Sequence, residues 1–455
     1  MSDPRIHCYT EDIKIANEKI AAAKSSDVGY IFVADLHNGA YLLKDEEGHL
    51  TFYEDDDVVA LKEARLIAQL DAIAEIAKNN DSIDFICVGG DIINGYETCD
   101  GAREKAAGQI TRQLDALVKS GKKVFVLMGN HDDGTFHRIF YPWGGDIHKE
   151  IAFSDKYWND KFLAPYIPEN CVHDSTYNLS KYYYYDLEKN GKSIRIVCLD
   201  NFDVRMPFDE EGNVTEWIKA NVHYGYSAAQ LKWLATEALP PEYEGEAMIL
   251  CHMGVTSTDN GWETPRGDKL YALLSAYQNK TAFADDELGV SIDYKDSKGK
   301  ILNYHFGHIH RNKIYYGEEL KLWQISTDTA EHNPCFDIML VSSDRIQRFN
   351  VGNGEDADAK YRFFNRELTF DIKEFGGLIN QVSPIHIKQD SILHNTISKF
   401  IRMPGEKEDC IASGKLLMEG GVKLKQGFGA TGYAEDIRFW QDFASRMYFM
   451  ERIEE

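Results

Sequence analysis

Six short apolar runs recur through the first two thirds of the chain, and each stops on polar residues. Tyr30 to Ala34 gives way to Asp35, Phe85 to Val88 to Gly89-Gly90-Asp91, and Val124 to Met128 to Gly129-Asn130-His131. Ile194 to Leu199 precedes Asp200-Asn201, Met248 to Cys251 precedes His252, and Ile301 to Phe306 precedes Gly307-His308. Continuous apolar runs, rather than alternating ones, are what strands need when both faces of their sheet are covered.

Between the first two runs, apolar residues at 58, 61, 66, 70, 73 and 77 follow helical spacing behind an acidic start that suits the helix dipole. The stretches Ala102 to Val118 and Ala228 to Leu239 read the same way, with Ser227 placed to cap the second. These alternations predict a layered α/β domain. In such sheets ligands bind beyond the carboxyl ends of the strands, where the polar residues fall.

After Gly307 the texture changes. Lys313 to Tyr316, Leu322 to Ile325, Phe336 to Val341 and Arg345 to Val351 are short runs separated by turns, which predicts consecutive antiparallel strands. Tyr182 to Tyr185 reads as a further strand with alternate rings buried. Gly352-Asn353-Gly354 marks a boundary, so one domain is expected over 1–352 and a smaller C-terminal α+β region of unassigned role over 356–455. That region ends in a helix whose Ile437, Trp440, Phe443, Met447 and Met450 form one apolar stripe, expected to pack on its own domain.

Composition narrows the class. With 455 residues, 43% hydrophobic and 12% aromatic, the chain can build a large core. A net charge of -24 and the lack of a Lys/Arg-rich stripe disfavour a nucleic-acid partner. Residues 1–24 lack a secretory core and no apolar stretch reaches the roughly 18 residues of a membrane span, so a cytoplasmic protein with no membrane partner is expected. The eight Cys show no CxxC spacing, and Cys87, Cys198 and Cys251 sit in apolar runs, which predicts buried reduced thiols.

The polar strand ends hold the candidate chemistry: Asp35, His37, Asp91, Asn130, His131, His252, His308 and His310. One sheet would bring them together. Imidazole mixed with carboxylate suits Mn, Fe or Zn rather than Mg or Ca, and this many donors suits two divalent ions. Two such ions repel unless an anion bridges them, and Asp91 can supply one oxygen to each. A water held between them would lose its proton near neutral pH. Two divalent ions outweigh two aspartates and a hydroxide by about one charge, enough to attract a phosphate ester within a Debye length of about 8 Å despite the acidic surface.

Taken in order, Asp35-Leu36-His37, Gly90-Asp91, Gly129-Asn130-His131-Asp132, His252 and Gly307-His308-Ile309-His310 resemble the five motifs of the calcineurin-like metallophosphoesterase superfamily. The resemblance implies a four-layer α/β/β/α sandwich with a binuclear centre. One ion would take Asp35, His37 and His310, the other Asn130, His252 and His308, and Asp91 would bridge. His131 would face the phosphate and protonate the leaving group, while a metal-bridging hydroxide attacks. Departures narrow the subgroup: Asn94 stands where purple acid phosphatases place an iron-binding Tyr, and Asp132 where protein phosphatases place Glu. The Asp-x-His and Asn-His-Asp combination is most similar to bacterial phosphodiesterases and repair nucleases. Asn94 also leaves His131 without the acidic partner often found at that position.

The expected substrate is a phosphodiester or small phosphomonoester. A nuclease is the alternative within the superfamily, and a non-catalytic scaffold the alternative outside catalysis. Residues 133–177, rich in rings from Phe136 to Tyr166, could form a lid or pack as a cap. His137 and Arg138 are candidate phosphate contacts; Arg205 and Arg266 are expected to pair with surface acids.

Overall fold

The run Val28–Val33 forms a strand with all six residues buried, as its unbroken apolar character requires. In the computed structural model of the chain, residues 6–23, 25–39, 41–44, 50–53, 56–95, 101–133, 152–203, 225–255, 264–317, 319–331, 335–352 and 366–371 are described. The strands are β1 (Val28–Val33), β2 (Tyr41–Lys44), β3 (Leu50–Tyr53), β4 (Phe85–Val88), β5 (Lys123–Val126), β6 (Val172–His173), β7 (Tyr183–Lys189), β8 (Lys192–Cys198) and β9 (Glu246–Leu250). They continue as β10 (Ala282–Asp285), β11 (Val290–Asp293), β12 (Lys300–Phe306), β13 (Lys313–Gly317), β14 (Leu322–Ser326), β15 (Cys335–Ser342), β16 (Arg345–Gly352) and β17 (Arg366–Asp371). The helices are α1 (Thr10–Ala22), α2 (Asp56–Asn79), α3 (Ala102–Val118), α4 (Asp155–Trp158), α5 (Ala228–Trp233) and α6 (Gly267–Asn279).

Two large sheets form, not one, beside the two-stranded pairs β2-β3 and β10-β11. The first runs β17-β16-β15-β1-β4-β5, the second β13-β14-β12-β9-β8-β7-β6. β1, β4 and β5 are parallel in the first, and β8, β9, β12 and β14 in the second. The expectation that one sheet gathers the polar residues is therefore corrected, because apolar runs report burial on both faces and not which strands are neighbours. The four strands after Gly307 are also corrected. β13 and β14 pair antiparallel, as do β15 and β16, but β14 lies parallel to β12 and the chain then crosses to the other sheet, where β15 pairs antiparallel with β1.

The sheets face each other across an aromatic layer. Tyr30 stacks on Phe85 at 5.0 Å, Phe32 on His305 at 4.0 Å, and the Tyr183 hydroxyl donates to Val126 O at 3.0 Å. Outside the first sheet, α2 buries Leu66, Leu70 and Ile73, and its Gln69 donates to Cys335 O at 3.3 Å. Outside the second, Trp233, Leu270, Leu274 and Tyr277 pack with Ile249, Tyr304 and Phe306. This is the expected α/β/β/α layering. Ser227 caps α5 by accepting from Gln230 N, as its sequence position suggests. The sequence reading missed α6, although Leu270, Leu273, Leu274 and Tyr277 follow helical spacing and are all buried.

The chain divides into two compact units, Met1–Thr369 and Phe370–Glu455. Apart from the end of β17, the second unit, including the Ile437 to Met450 stripe, lies outside the described residues. No helix among the described residues is long and apolar enough to cross a membrane. Cys87, Cys198 and Cys251 are buried free thiols, as expected.

Candidate metal centre

Three of the five strands that carry candidate donors, β1, β4 and β12, end in a strained turn. Asp35 (φ 55°), His37 (47°), Asp91 (50°), His308 (64°) and His310 (48°) occupy the left-handed region, five of nine non-glycine residues that do so among those described. Each such residue costs roughly 1–2 kcal/mol, so the surrounding contacts must hold it there. They are numerous. His308 N–H donates to both Asp35 oxygens at 3.1 and 2.9 Å, His131 N–H to Asp91 Oδ1 at 2.9 Å, and His37 N–H to Asp91 O at 2.8 Å. Glycine precedes Asp91, Asn130 and His308 for a steric reason. A Cβ at Gly129 would collide with the Asp91 carboxylate, and one at Gly307 would lie 2.5 Å from Asp35 Oδ2.

The turns bring the donors from both sheets into two adjoining groups. In the first, His310 Nε2 lies 3.3 Å from Asp35 Oδ1 and 3.0 Å from His37 Nε2. In the second, Asn130 Oδ1 lies 3.2 Å from His252 Nε2 and 3.0 Å from His308 Nδ1. Asp91 Oδ2 stands between them, 3.3 Å from His252 Nε2 and 3.7 Å from His37 Nε2. Ligands bonded at ~2.1 Å to one ion sit ~3.0–3.4 Å from one another, so both groups fit a metal. His252 is also held in the right tautomer: its Nδ1–H donates to Gly89 O at 2.8 Å, leaving the Nε2 lone pair for an ion.

Charge favours cations here. Burial works against protonating His252 and His310, yet Asp91 raises the first to about 9 and Asp35 the second to about 9. The carboxylates demand a positive partner. Burial, reinforced by nearby imidazoles, instead holds His308 down at about 3 and His37 well below its usual range, which keeps both rings neutral.

His131 stands beside both groups and, with His37 and Asp91, makes a third set of donor atoms close enough to hold an ion. Its Nδ1–H donates to the main-chain carbonyl of Asn94 at 2.6 Å, so Nε2 turns toward the centre, 3.8 Å from Asp91 Oδ2. Burial lowers its pKa, against the opposing pull of Asp91. Asp132 ties two motif loops together: Oδ1 accepts from Ile92 N–H at 2.7 Å and Ile93 N–H at 3.1 Å, and Oδ2 from Gly129 N–H at 2.8 Å. Burial and then Asp91 raise its pKa to about 7.

The pattern of the calcineurin-like phosphoesterase family matches residues 30–312 of this chain. The chain belongs to that family. The family depends on a binuclear metal centre, and the donor set above fits one. Among solved structures, a dimetal phosphatase from Danio rerio gives a TM-score of 0.47 at 15% identity, covering 76% of this chain and 100% of its own. GAP50, the anchor in the inner membrane complex of Plasmodium, gives 0.38 at 11%, covering 76% and 90%. The Thermus thermophilus sulfate thiohydrolase SoxB in complex with glycerol gives 0.36 at 11%, covering 74% and 58%. No curated protein matches the chain in sequence.

Several expectations fall elsewhere in this phosphoesterase. His137, Arg138, Arg205, Phe136, Tyr141 and Trp143 lie outside the described residues. Arg266 pairs with Glu287 at 2.8 Å, as expected of a surface arginine. In the described part of 133–177, Phe153, Trp158 and Phe162 are buried against one another, with Trp158 and Phe162 rings 4.9 Å apart. The sequence reading gave Asn201 no role. Its Oδ1 accepts from Met253 N–H at 2.8 Å, fixing the residue next to His252, and its place after an apolar run was the available signal.

Proposed function

We propose that the chain hydrolyses a phosphodiester or small phosphomonoester, with Asp35, His37 and His310 holding one divalent ion, Asn130, His252 and His308 the other, and Asp91 between them. The observation that carries this reading is the convergence of both donor groups on Asp91 Oδ2, with His131 Nε2 3.8 Å from the same oxygen. Mixed imidazole and carboxylate donors suit Mn, Fe or Zn. When bound, the ions would polarise the phosphoryl group and lower the pKa of a nucleophilic water.

The chain's own residues supply the rest. Asn130 binds without adding negative charge, keeping the centre cationic toward an anionic ester. His131, locked by Asn94 O, presents Nε2 to the leaving oxygen and delivers a proton there, a contribution of about 10²–10⁴ in rate. The family resemblance supports a place near the bacterial phosphodiesterases, with the catalytic domain over 1–352.

The test measures bound metal and hydrolysis of a generic monoester and diester with added Mn, comparing wild type with Asp91→Ala and His131→Ala. Expected are two ions per chain in wild type and fewer in Asp91→Ala. His131→Ala should keep its ions and lose rate most steeply with poor leaving groups. Two bound ions with no hydrolysis above the variants on any ester would overturn the enzyme reading.

A further inference from the structure

The His308 to His310 turn is held by a buried polar frame from strands beyond the family motifs. Arg348, in β16, is 3% exposed; its Nε and one terminal nitrogen donate to the two Asp337 oxygens at 2.9 and 2.6 Å. The same terminal nitrogen lies 2.9 Å from Asn312 Oδ1 and 2.9 Å from Ser326 O, so its two hydrogens are shared among three acceptors. Asn312 Oδ1 accepts three further bonds, from Asn350 Nδ2 at 3.0 Å, Asp328 N–H at 3.2 Å and Cys335 Sγ–H at 3.8 Å. Ser326 Oγ–H donates to Arg311 O at 2.6 Å. The two residues that follow His310 are therefore both anchored, one by main chain and one by side chain.

His310 needs such anchoring more than the other donors. It combines a left-handed φ of 48° with a side chain 40% exposed, whereas Asp35, His37, Asp91 and His252 are nearly or fully buried. Packing alone cannot fix a ring so open to water. A backbone in that conformation relaxes unless its neighbours over-determine it.

We infer that the Arg348–Asn312 frame is a positioning device for His310, so that it selectively sets the affinity of the Asp35/His37/His310 metal subsite. The inference rests on the binuclear reading above. Groups behind metal ligands commonly change metal affinity by about 10- to 100-fold when removed. The convergence of four donors on one oxygen makes the acceptor atom of Asn312 the point of control. Both leucine and aspartate at 312 lose Nδ2, which donates to Asn350 Oδ1 at 3.4 Å and Cys335 Sγ at 3.6 Å; only leucine also loses the acceptor oxygen, which aspartate keeps facing the Arg348 cation.

The test is Mn titration of chelator-stripped, full-length protein followed by calorimetry and by the electron paramagnetic resonance of free Mn. Wild type should bind two ions, and His310→Ala should identify which binding step belongs to its subsite. Asn312→Leu should weaken that step about 10- to 100-fold and leave the other within about twofold, while Asn312→Asp should bind both ions like wild type. If Asn312→Leu fails to fold, Ser326→Ala, which removes only the hold on Arg311 O, should weaken the same step by a smaller factor. A folded variant with both affinities unchanged, or with both lowered together, would overturn the inference while leaving the binuclear centre standing. A wild type that takes up no ion would instead remove the centre itself.

Discussion

Acidifying the protein from about pH 7 to about pH 4.5 should cost it about 2–3 kcal/mol through one buried imidazole, that of His305. His305 is fully buried between the sheets, stacked on Phe32 at 4.0 Å. Its bonds form a directed chain. Asn303 Nδ2 donates to the Tyr30 hydroxyl at 2.9 Å, and that hydroxyl donates to His305 Nδ1 at 2.9 Å. His305 Nε2–H donates to Thr327 Oγ1 at 2.8 Å, which in turn donates to Asp337 Oδ2 at 2.5 Å. Neutral imidazole, with one donor and one acceptor, satisfies this chain, whereas a proton on Nδ1 would oppose the tyrosine hydrogen. Burial, only partly offset by Asp337, accordingly lowers the His305 pKa to about 4. In the unfolded chain it lies near ~6.5. Between these values the unfolded state holds the proton and the folded state does not, so stability falls as pH falls, by ~1.4 kcal/mol per unit, and levels off below ~4. Urea unfolding at both pH values, with chelator present, should show wild type losing about 2–3 kcal/mol more than His305→Gln, which cannot titrate. Histidines common to both proteins cancel in that difference. Equal losses in the two proteins would refute the neutral, relayed imidazole.

Gly129→Ala should lower stability by about 1–3 kcal/mol and abolish uptake of at least one ion, because the added methyl occupies the space of the Asp91 carboxylate; thermal melting and metal analysis check both. Asp132→Asn turns an NH₂ group toward a main-chain N–H, since its carboxylate accepts from three main-chain donors. The expected loss is about 1–3 kcal/mol in urea unfolding, together with a reduced rate at saturating metal. Unchanged stability would show that the Gly90 and Gly129 loops do not depend on this tie.

The strand ends were legible because burial on both faces leaves an apolar run, and function then interrupts it with polar residues. His131 shows where legibility stops. Its partner is the carbonyl of Asn94, and a main-chain atom has no residue signature, so a missing acid at 94 looked like a missing partner. Asn201 failed differently: it was visible after β8, but a carboxamide that bonds Met253 N–H looks, in sequence, like any loop asparagine. The resemblance implied two sheets, but which strands join which was hidden: the apolar runs of β14 and β15 look alike, and nothing in them says that β14 pairs with β12 and β15 with β1.

The strands after residue 312 belong to the same physical object as the motifs before it. β15 and β4 are the two neighbours of β1, which delivers Asp35 and His37; Phe32 lies opposite Asp337 in that ladder. Without β15, the strand bearing the first motif would become a sheet edge with unpaired main-chain groups. Two tethers run the same way: Thr329 Oγ1–H donates to Asp35 O at 2.8 Å, and Ala330 N–H lies 3.2 Å from both Ala34 O and Asp35 O. The motifs therefore supply the donors, whereas the later strands supply the constraint that keeps five strained residues in place. A match to the motifs locates the chemistry and understates the length of chain needed to hold it.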